Sequence, residues 1–284
     1  MGSAGQEFEQ TRILVLGHSG LIGSHLVELC PTAVKMPAGW RISDQKTLIS
    51  VLEKANPSVI VNAVGVFRGS DAEIQAINGT LSLLAWMNAA EICPNAKKIW
   101  LGSAAEYGQV QFSPVTEDHP CEPFSAYGQA KWMVSSAILE VEDPNTTIVR
   151  PSNVVGPGMS SDLLIGGLVN SLRSGNTAVT IRNPHAKRDY VDAKDVARAI
   201  LELAKIPAPG IVNVCTQTEV SNLEVVDILR EVTQIPFEVE IEQSESGKVE
   251  VSSFVASCDK LAGLTGFRPS ISLRESIQRI WSGG

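Results

Sequence analysis

The sequence predicts a doubly wound α/β fold of Rossmann type, a parallel sheet with helices on both faces, followed by a smaller α/β lobe. Three observations carry this. A glycine-rich turn, Gly17-His18-Ser19-Gly20-Leu21-Ile22-Gly23, lies between a short apolar run and a helical pattern. Apolar runs of strand length alternate with helix-like segments through the first half of the chain. From Gly156 onward the alternation gives way to a loop-rich, polar and basic stretch.

Residues 12–16, Arg12 followed by the apolar Ile13-Leu14-Val15-Leu16, read as a buried parallel strand. Leu21, Ile22, His25, Leu26 and Leu29 then recur at helical spacing, so 20–30 reads as a helix. The segment 31–43 is compressed and is expected to hold the second and third strands, with Ala33–Met36 as the second. Helices are expected at 44–55, 71–92 and 125–142, and strands at 59–64, 98–102 and 146–150. Beyond the loop at Pro157-Gly158, helices are expected at 163–172, 192–205 and 222–233, with a last one ending at Trp281. A turn is expected at Asn183-Pro184 and a strand at 210–215. The expected division is a flexible leader at 1–10, a dinucleotide-binding domain from 11–155 plus 189–210, and a substrate-binding lobe from 156–188 plus 211–284.

A hydrophobic share of 44% suits a globular chain, and a net charge of −8 argues against a nucleic-acid partner. No apolar run approaches the ~18 residues of a membrane span. The five cysteines (30, 93, 121, 215, 258) are dispersed, which points to the reducing cytoplasm. The four histidines show no metal-ligand spacing, so no metal is expected.

Tyr127 and Lys131 stand four residues apart and share a face if the segment is helical. A phenol of pKa ~10 is a poor proton carrier at neutral pH, and a neighbouring cation is expected to lower it. The glycine turn, set between strand and helix, allows close backbone approach to a pyrophosphate facing a helix N-terminus.

The spacing GxxGxxG together with YxxxK resembles the short-chain dehydrogenase/reductase superfamily, and the extended branch acting on nucleotide-sugars fits best. Further segments share the likeness. They are Asn62-Ala63-Val64-Gly65, Asn78-Gly79-Thr80, the run from Gly102 to Gly108 (GSAAEYG), that from Arg150 to Gly158 (RPSNVVGPG), and that from Lys187 to Ala197 (KRDYVDAKDVA). The resemblance implies Tyr127 as proton carrier, aided by Ser103 and Lys131, and Asn78 as a structural residue. It implies cofactor contacts from Gly17, Ser19, Gly20, Leu21, Ile22, Gly23, Lys35, Arg41, Ile42, Ala63, Val64 and Gly65, with Tyr127 and Lys131. For the sugar-nucleotide it implies Ser103, Asn153 and Arg188; Arg182, standing where related enzymes carry glycine, is a further candidate for the diphosphate.

Two features narrow the reaction. Related dehydratases carry acids in the two positions after the serine; here stand Ala104 and Ala105, which move no proton. The cysteine and histidine of related epimerising reductases are also missing. Simple hydride transfer at a carbonyl or carbinol remains, and the local likeness is to nucleotide-sugar 4-ketoreductases such as the GDP-4-keto-6-deoxymannose reductases. The expected substrate is a nucleotide-linked 4-keto-6-deoxyhexose. The alternatives are a 4-epimerase with tightly bound NAD and a non-catalytic NADP-binding regulator. No acid follows Ala33–Met36, while Lys35 and Arg41 lie near, so NADP(H) is expected to be preferred over NAD(H). Related enzymes pair through the 71–92 and 125–142 helices, so a homodimer is expected.

Overall fold

The computed structural model describes residues 11–110, 112–242 and 253–283. The leader expected at 1–10 lies outside them.

β1 (Ile13–Leu16) leads through the glycine turn into α1 (Leu21–Leu29) and β2 (Val34–Lys35). Then come α2 (Gln45–Ala55), β3 (Val59–Asn62), α3 (Asp71–Gln75) and α4 (Leu81–Ile92), the last two joined by a π-turn at Ala76–Thr80. β4 (Lys97–Leu101), a 3-10 turn at Ala104–Glu106, α5 (Ala126–Glu140) and β5 (Thr146–Pro151) follow. The second half holds β6 (Asn153–Val155), α6 (Leu164–Arg173), β7 (Ala178–Arg182), β8 (Lys187–Arg188), β9 (Tyr190–Asp192), α7 (Ala193–Ala204) and β10 (Gly210–Val214). It continues with β11 (Val220–Ser221), α8 (Asn222–Thr233), β12 (Glu238–Glu242), β13 (Ser253–Phe254), α9 (Asp259–Thr265) and α10 (Leu273–Ser282).

The main sheet has six parallel strands in the order β10-β5-β4-β3-β1-β2. Its central strands are buried on both faces, and most of their residues are apolar. Ile13, Val15, Val61, Ile99 and Val149 pack on one side with Leu26 of α1 and Val196 and Ile200 of α7. Leu14, Leu16, Ile60, Trp100 and Ile148 pack on the other with Leu48 of α2, Trp86 of α4 and Val134 of α5. The alternation of neighbouring residues between these two cores is the period of two that a strand imposes.

One expectation is corrected. Segment 31–43 holds a single two-residue strand, β2, and not two strands. A parallel crossover needs a dozen or more residues, and this segment instead spends its length on tight turns, Trp40 N–H to Pro37 O and Asp44 N–H to Arg41 O. The strand order therefore reverses between β1 and β3. In open α/β sheets that reversal opens a crevice at the carboxyl ends of the strands.

A third core lies outside the sheet. Ile165, Leu168 and Leu172 of α6, Val225 and Leu229 of α8 and Ile277 and Ile280 of α10 pack with Val179, Ile181 and Tyr190. Residues 254–261 pack instead into the core beneath α1 and α7.

Candidate active site

The glycine turn brings two loops into backbone contact at the crevice. Gly17 has φ +79°, and a Cβ there would lie 2.9 Å from Ala63 C and Val64 N. A Cβ on Gly23 would lie 2.0 Å from Gly17 O, so α1 can begin this close to β1 only with glycine at that position. Gly20 caps α1 without any side-chain hydrogen bond. The N–H groups of the first helical turn are therefore left to meet an anion. Ser19, Leu21, Ile22, Ala63, Val64 and Gly65 all lie along these two loops. The turn fits a dinucleotide pyrophosphate, since it presents the uncapped N–H groups that open α1.

At the carboxyl end of β4, Ser103 caps the 3-10 turn, and its Oγ accepts from Ala105 N–H at 3.1 Å. The hydroxyl proton is left free to donate. α5 begins at a Ser125 cap, whose Oγ accepts from Gly128 N–H at 3.1 Å. A Cβ on Gly128 would lie 2.5 Å from Ala105 O, so glycine lets the first turn of α5 approach the serine turn. This contact brings Tyr127 beside Ser103. Lys131, one helical turn on, is buried, and its ammonium donates to Leu101 O at 2.8 Å. A Cβ on Gly65 would lie 3.7 Å from Lys131 Nζ and 3.3 Å from Asn78 Oδ1, which places the β3 loop against both.

The electrostatics correct one expectation. Tyr127 is half-buried, and desolvation pushes its phenol up to about 12, opposed by the Ser103 hydroxyl and reinforced by Glu106. Lys131, 5.9 Å from the ring centroid, does not lower it. The ammonium is turned to Leu101 O, and desolvation brings its own value down to about 8 against an upward push from Glu106. The lysine, rather than the phenol, titrates nearest neutrality.

Asn78 sits in the π-turn and holds a bend. Its Nδ2 donates to Val66 O at 2.6 Å and Ile74 O at 3.0 Å, and its Oδ1 accepts Val66 N–H at 3.0 Å. π-turns concentrate at functional sites, and this one shapes the loop facing Lys131.

Beyond β2, Lys35 is exposed and Ile42 buried. Arg41 is exposed, donating to Gly39 O and Trp40 O at 3.2 Å each. Among the residues expected to hold the sugar-nucleotide, Asn153 sits beside the chain that follows Arg188. Asn153 Nδ2 donates to Asp189 O at 3.2 Å, next in chain to Arg188. The Asp189 carboxylate is buried and accepts Thr216 N–H, Thr216 Oγ1–H and Gln217 N–H, which fixes the turn after β10. Arg182 is engaged elsewhere, bidentate at 2.8 Å on Glu242 across the exposed β7–β12 pair.

Two residues at the site are not singled out by the sequence reading. Glu106 and Arg150 form a fully buried ion pair directly behind Ser103. A signal is present: Ser103-Ala104-Ala105-Glu106 has the S-x-x-E spacing of a capping box.

The sequence matches the NAD dependent epimerase/dehydratase family over residues 13–215, and the chain belongs to that family. It is 26% identical to a dTDP-6-deoxy-L-talose 4-dehydrogenase (NAD(P)(+)) from Kitasatospora kifunensis, over 95% of each chain. It is 24% identical to a GDP-6-deoxy-D-mannose reductase from Pseudomonas aeruginosa, over 95% of this chain and 96% of that one. The fold superposes on the structure of RMD from Pseudomonas aeruginosa complexed with NADPH. The TM-score is 0.85 at 21% identity, covering 96% of this chain and 98% of that one. Among the described residues no helix is long and apolar enough to cross a membrane, and no group of side chains suits a metal ion.

Proposed function

We propose that the chain is an NADPH-dependent nucleotide-sugar 4-ketoreductase, reducing a nucleotide-linked 4-keto-6-deoxyhexose at C4. The observation that carries this reading is the meeting of Ser103, Tyr127 and Lys131 at the end of β4, with Ala104 and Ala105 offering no second acid or base. The relatives named for 4-dehydrogenase and reductase activity, similar over almost the whole chain, support it.

NADP(H), held by the Gly17–Gly23 cradle with Ala63, Val64 and Gly65, supplies the hydride when bound. The chain's own residues manage the proton. Ser103 donates a hydrogen bond to the carbonyl oxygen and aligns it with the phenol. Tyr127, whose raised value keeps it fully protonated at neutral pH, gives its proton to that oxygen as it becomes an alkoxide. Lys131, near 8, holds a proton with which the phenolate is quenched. Asn153 and Arg188 hold the diphosphate, Arg188 by the fork that suits phosphate. The lobe built on α6, α8 and α10 supplies the sugar pocket, while β10 and residues 254–261 belong to the main sheet and its core. Lys35, Arg41 and Ile42 lie where the adenosine ribose is expected, and the cations favour a 2′-phosphate.

A 4-epimerase is the second reading, since a UDP-glucose 4-epimerase from Rhizobium leguminosarum bv. trifolii is 25% identical over 95% of this chain. Turnover with a panel of nucleotide-linked sugars separates the two. Net loss of NADPH with a 4-keto sugar supports the reductase, and interconversion of two sugars with no net oxidation supports the epimerase. Binding of NADPH without turnover of any sugar points to a regulator.

We also propose a homodimer. Leu84 and Met87 on α4 and Met133 on α5 are exposed apolar side chains on two helices that pack together. Sedimentation of the parent and of Met87→Glu tests this; a monomeric parent contradicts it. The dispersed cysteines favour the reducing cytoplasm as the setting.

A further inference from the structure

The chemistry above leaves one buried ion pair at the site without a role. Glu106 and Arg150 are both 0% exposed. Glu106 Oε2 accepts from Arg150 Nε at 2.8 Å and lies 2.7 Å from its Nη2. Oε1 accepts the backbone N–H of Ser103 at 2.8 Å. One carboxylate thus meets a donor from β5 and a donor from the end of β4 at once.

The surroundings are arranged around that carboxylate. A Cβ on Gly102 would lie 2.3 Å from Glu106 Oε1, so the glycine makes the room it occupies. The Arg150 guanidinium lies over the rings of Tyr107, at 4.6 Å, and Trp132, at 5.6 Å. Tyr107 in turn donates its hydroxyl to Asn213 Oδ1 at 2.7 Å, tying the cluster to β10.

We propose that Glu106 is a positioning residue for the reduction: braced by Arg150, its carboxylate fixes the Ser103 main chain so that the serine hydroxyl stays aligned with Tyr127. This rests on the reading of Ser103 and Tyr127 as the reacting pair. An ion pair serving stability alone needs no contact with Ser103, and apolar residues of similar volume often replace such pairs without loss. Glutamine is no substitute. It has one acceptor oxygen, so its amide NH2 would face either the Ser103 N–H or the guanidinium. The Glu106 charge also pushes Tyr127 and Lys131 toward their protonated forms, the forms a reductase uses.

The test is a cycle of Ser103→Ala against the double substitution Glu106→Leu/Arg150→Met, which keeps an apolar filling and removes the acceptor. The double variant is expected to melt close to the parent and to bind NADPH with unchanged Kd. Its kcat is expected to fall about tenfold or more with KM nearly constant, the signature of lost transition-state alignment. Adding Ser103→Ala to it should then cost far less than Ser103→Ala costs alone, because residues acting as a unit are non-additive. An unchanged kcat in the double variant, or an undiminished further loss on adding Ser103→Ala, overturns the inference while leaving the role of Ser103 intact. If Ser103→Ala alone is silent, the reading of Ser103 falls and this inference falls with it. Should the double variant not fold, Glu106→Gln enters the same cycle with the same expected losses and the same overturning results.

Discussion

The two ends of the crevice are built differently. At the end of β4 the Ser103 turn is held by buried groups: the Glu106 carboxylate, the Arg150 guanidinium and the close approach of Gly128 to Ala105 O. At the end of β2, Lys35 and Arg41 stand in solvent, Arg41 donating to two nearby carbonyls. Groups held inside a low-dielectric site keep their geometry, and changing one is costly. Exposed charges are screened and can change with little effect on their surroundings. The first end is suited to chemistry and the second to choosing between cofactors.

The strongest way to break this contrast is Tyr127→Phe. It removes the proton and leaves the ring, so kcat should fall about 10²-fold or more with the fold intact. Steady-state rates alongside melting curves check it. Gly128→Ala is the next largest. Its Cβ meets Ala105 O, a backbone atom, so α5 must shift away from the serine turn. Overpacking of this kind costs about 1–3 kcal/mol of stability, and kcat should fall with it; an unchanged melting temperature would show that the contact relaxes freely.

Arg41→Ala probes the other end. NADPH binding should weaken by about tenfold, roughly 1.4 kcal/mol, while NADH binding stays nearly constant. Calorimetry with both cofactors decides it, and a parallel loss for both would show Arg41 stacking on the adenine instead.

Much of this contrast is legible in the amino-acid sequence. The glycine turn, Tyr127 and Lys131 are set by local spacing, and apart from the extra strand expected in 31–43 the helices and strands of the first half fall within a few residues of their expected bounds. The glycines at 17, 23 and 128 are explained only by contacts across the fold. Glu106 and Arg150, 44 positions apart, meet only when β4 and β5 pair. The direction of the Tyr127 shift is not legible, because spacing shows a nearby cation but not how far the site is desolvated. Likewise, the Glu242 partner of Arg182 is not legible, because the two meet only across the β7–β12 pair.

A smaller effect follows from Lys131. Its value is depressed from 10.5 to about 8, so below pH 8 the folded protein carries a buried ammonium at a cost. Between about 8 and 10.5 the unfolded chain binds more protons than the folded one, and stability from this group rises with pH. Lys131→Met should therefore melt higher than the parent below pH 8, with the advantage shrinking as pH rises toward 10.5. Melting temperatures across that range test the sign, and a constant difference would contradict it. The smallest effect is expected from Arg182→Ala. Its partner is exposed, and such pairs are worth about 0–1 kcal/mol, so KM for the sugar-nucleotide should hardly move. A large rise in KM would return Arg182 to the diphosphate.

Net reduction at C4 with Tyr127 as the proton source is tested most directly by isotope transfer. The direct measurement supplies NADPH deuterated at the transferring position together with a nucleotide-linked 4-keto-6-deoxyhexose. The product is then characterised with the parent and with Tyr127→Phe. One deuterium is expected at C4 for each NADPH consumed, with a rate that collapses in the variant. Sugar interconversion with no net NADPH loss, or undiminished labelling by Tyr127→Phe, would contradict it.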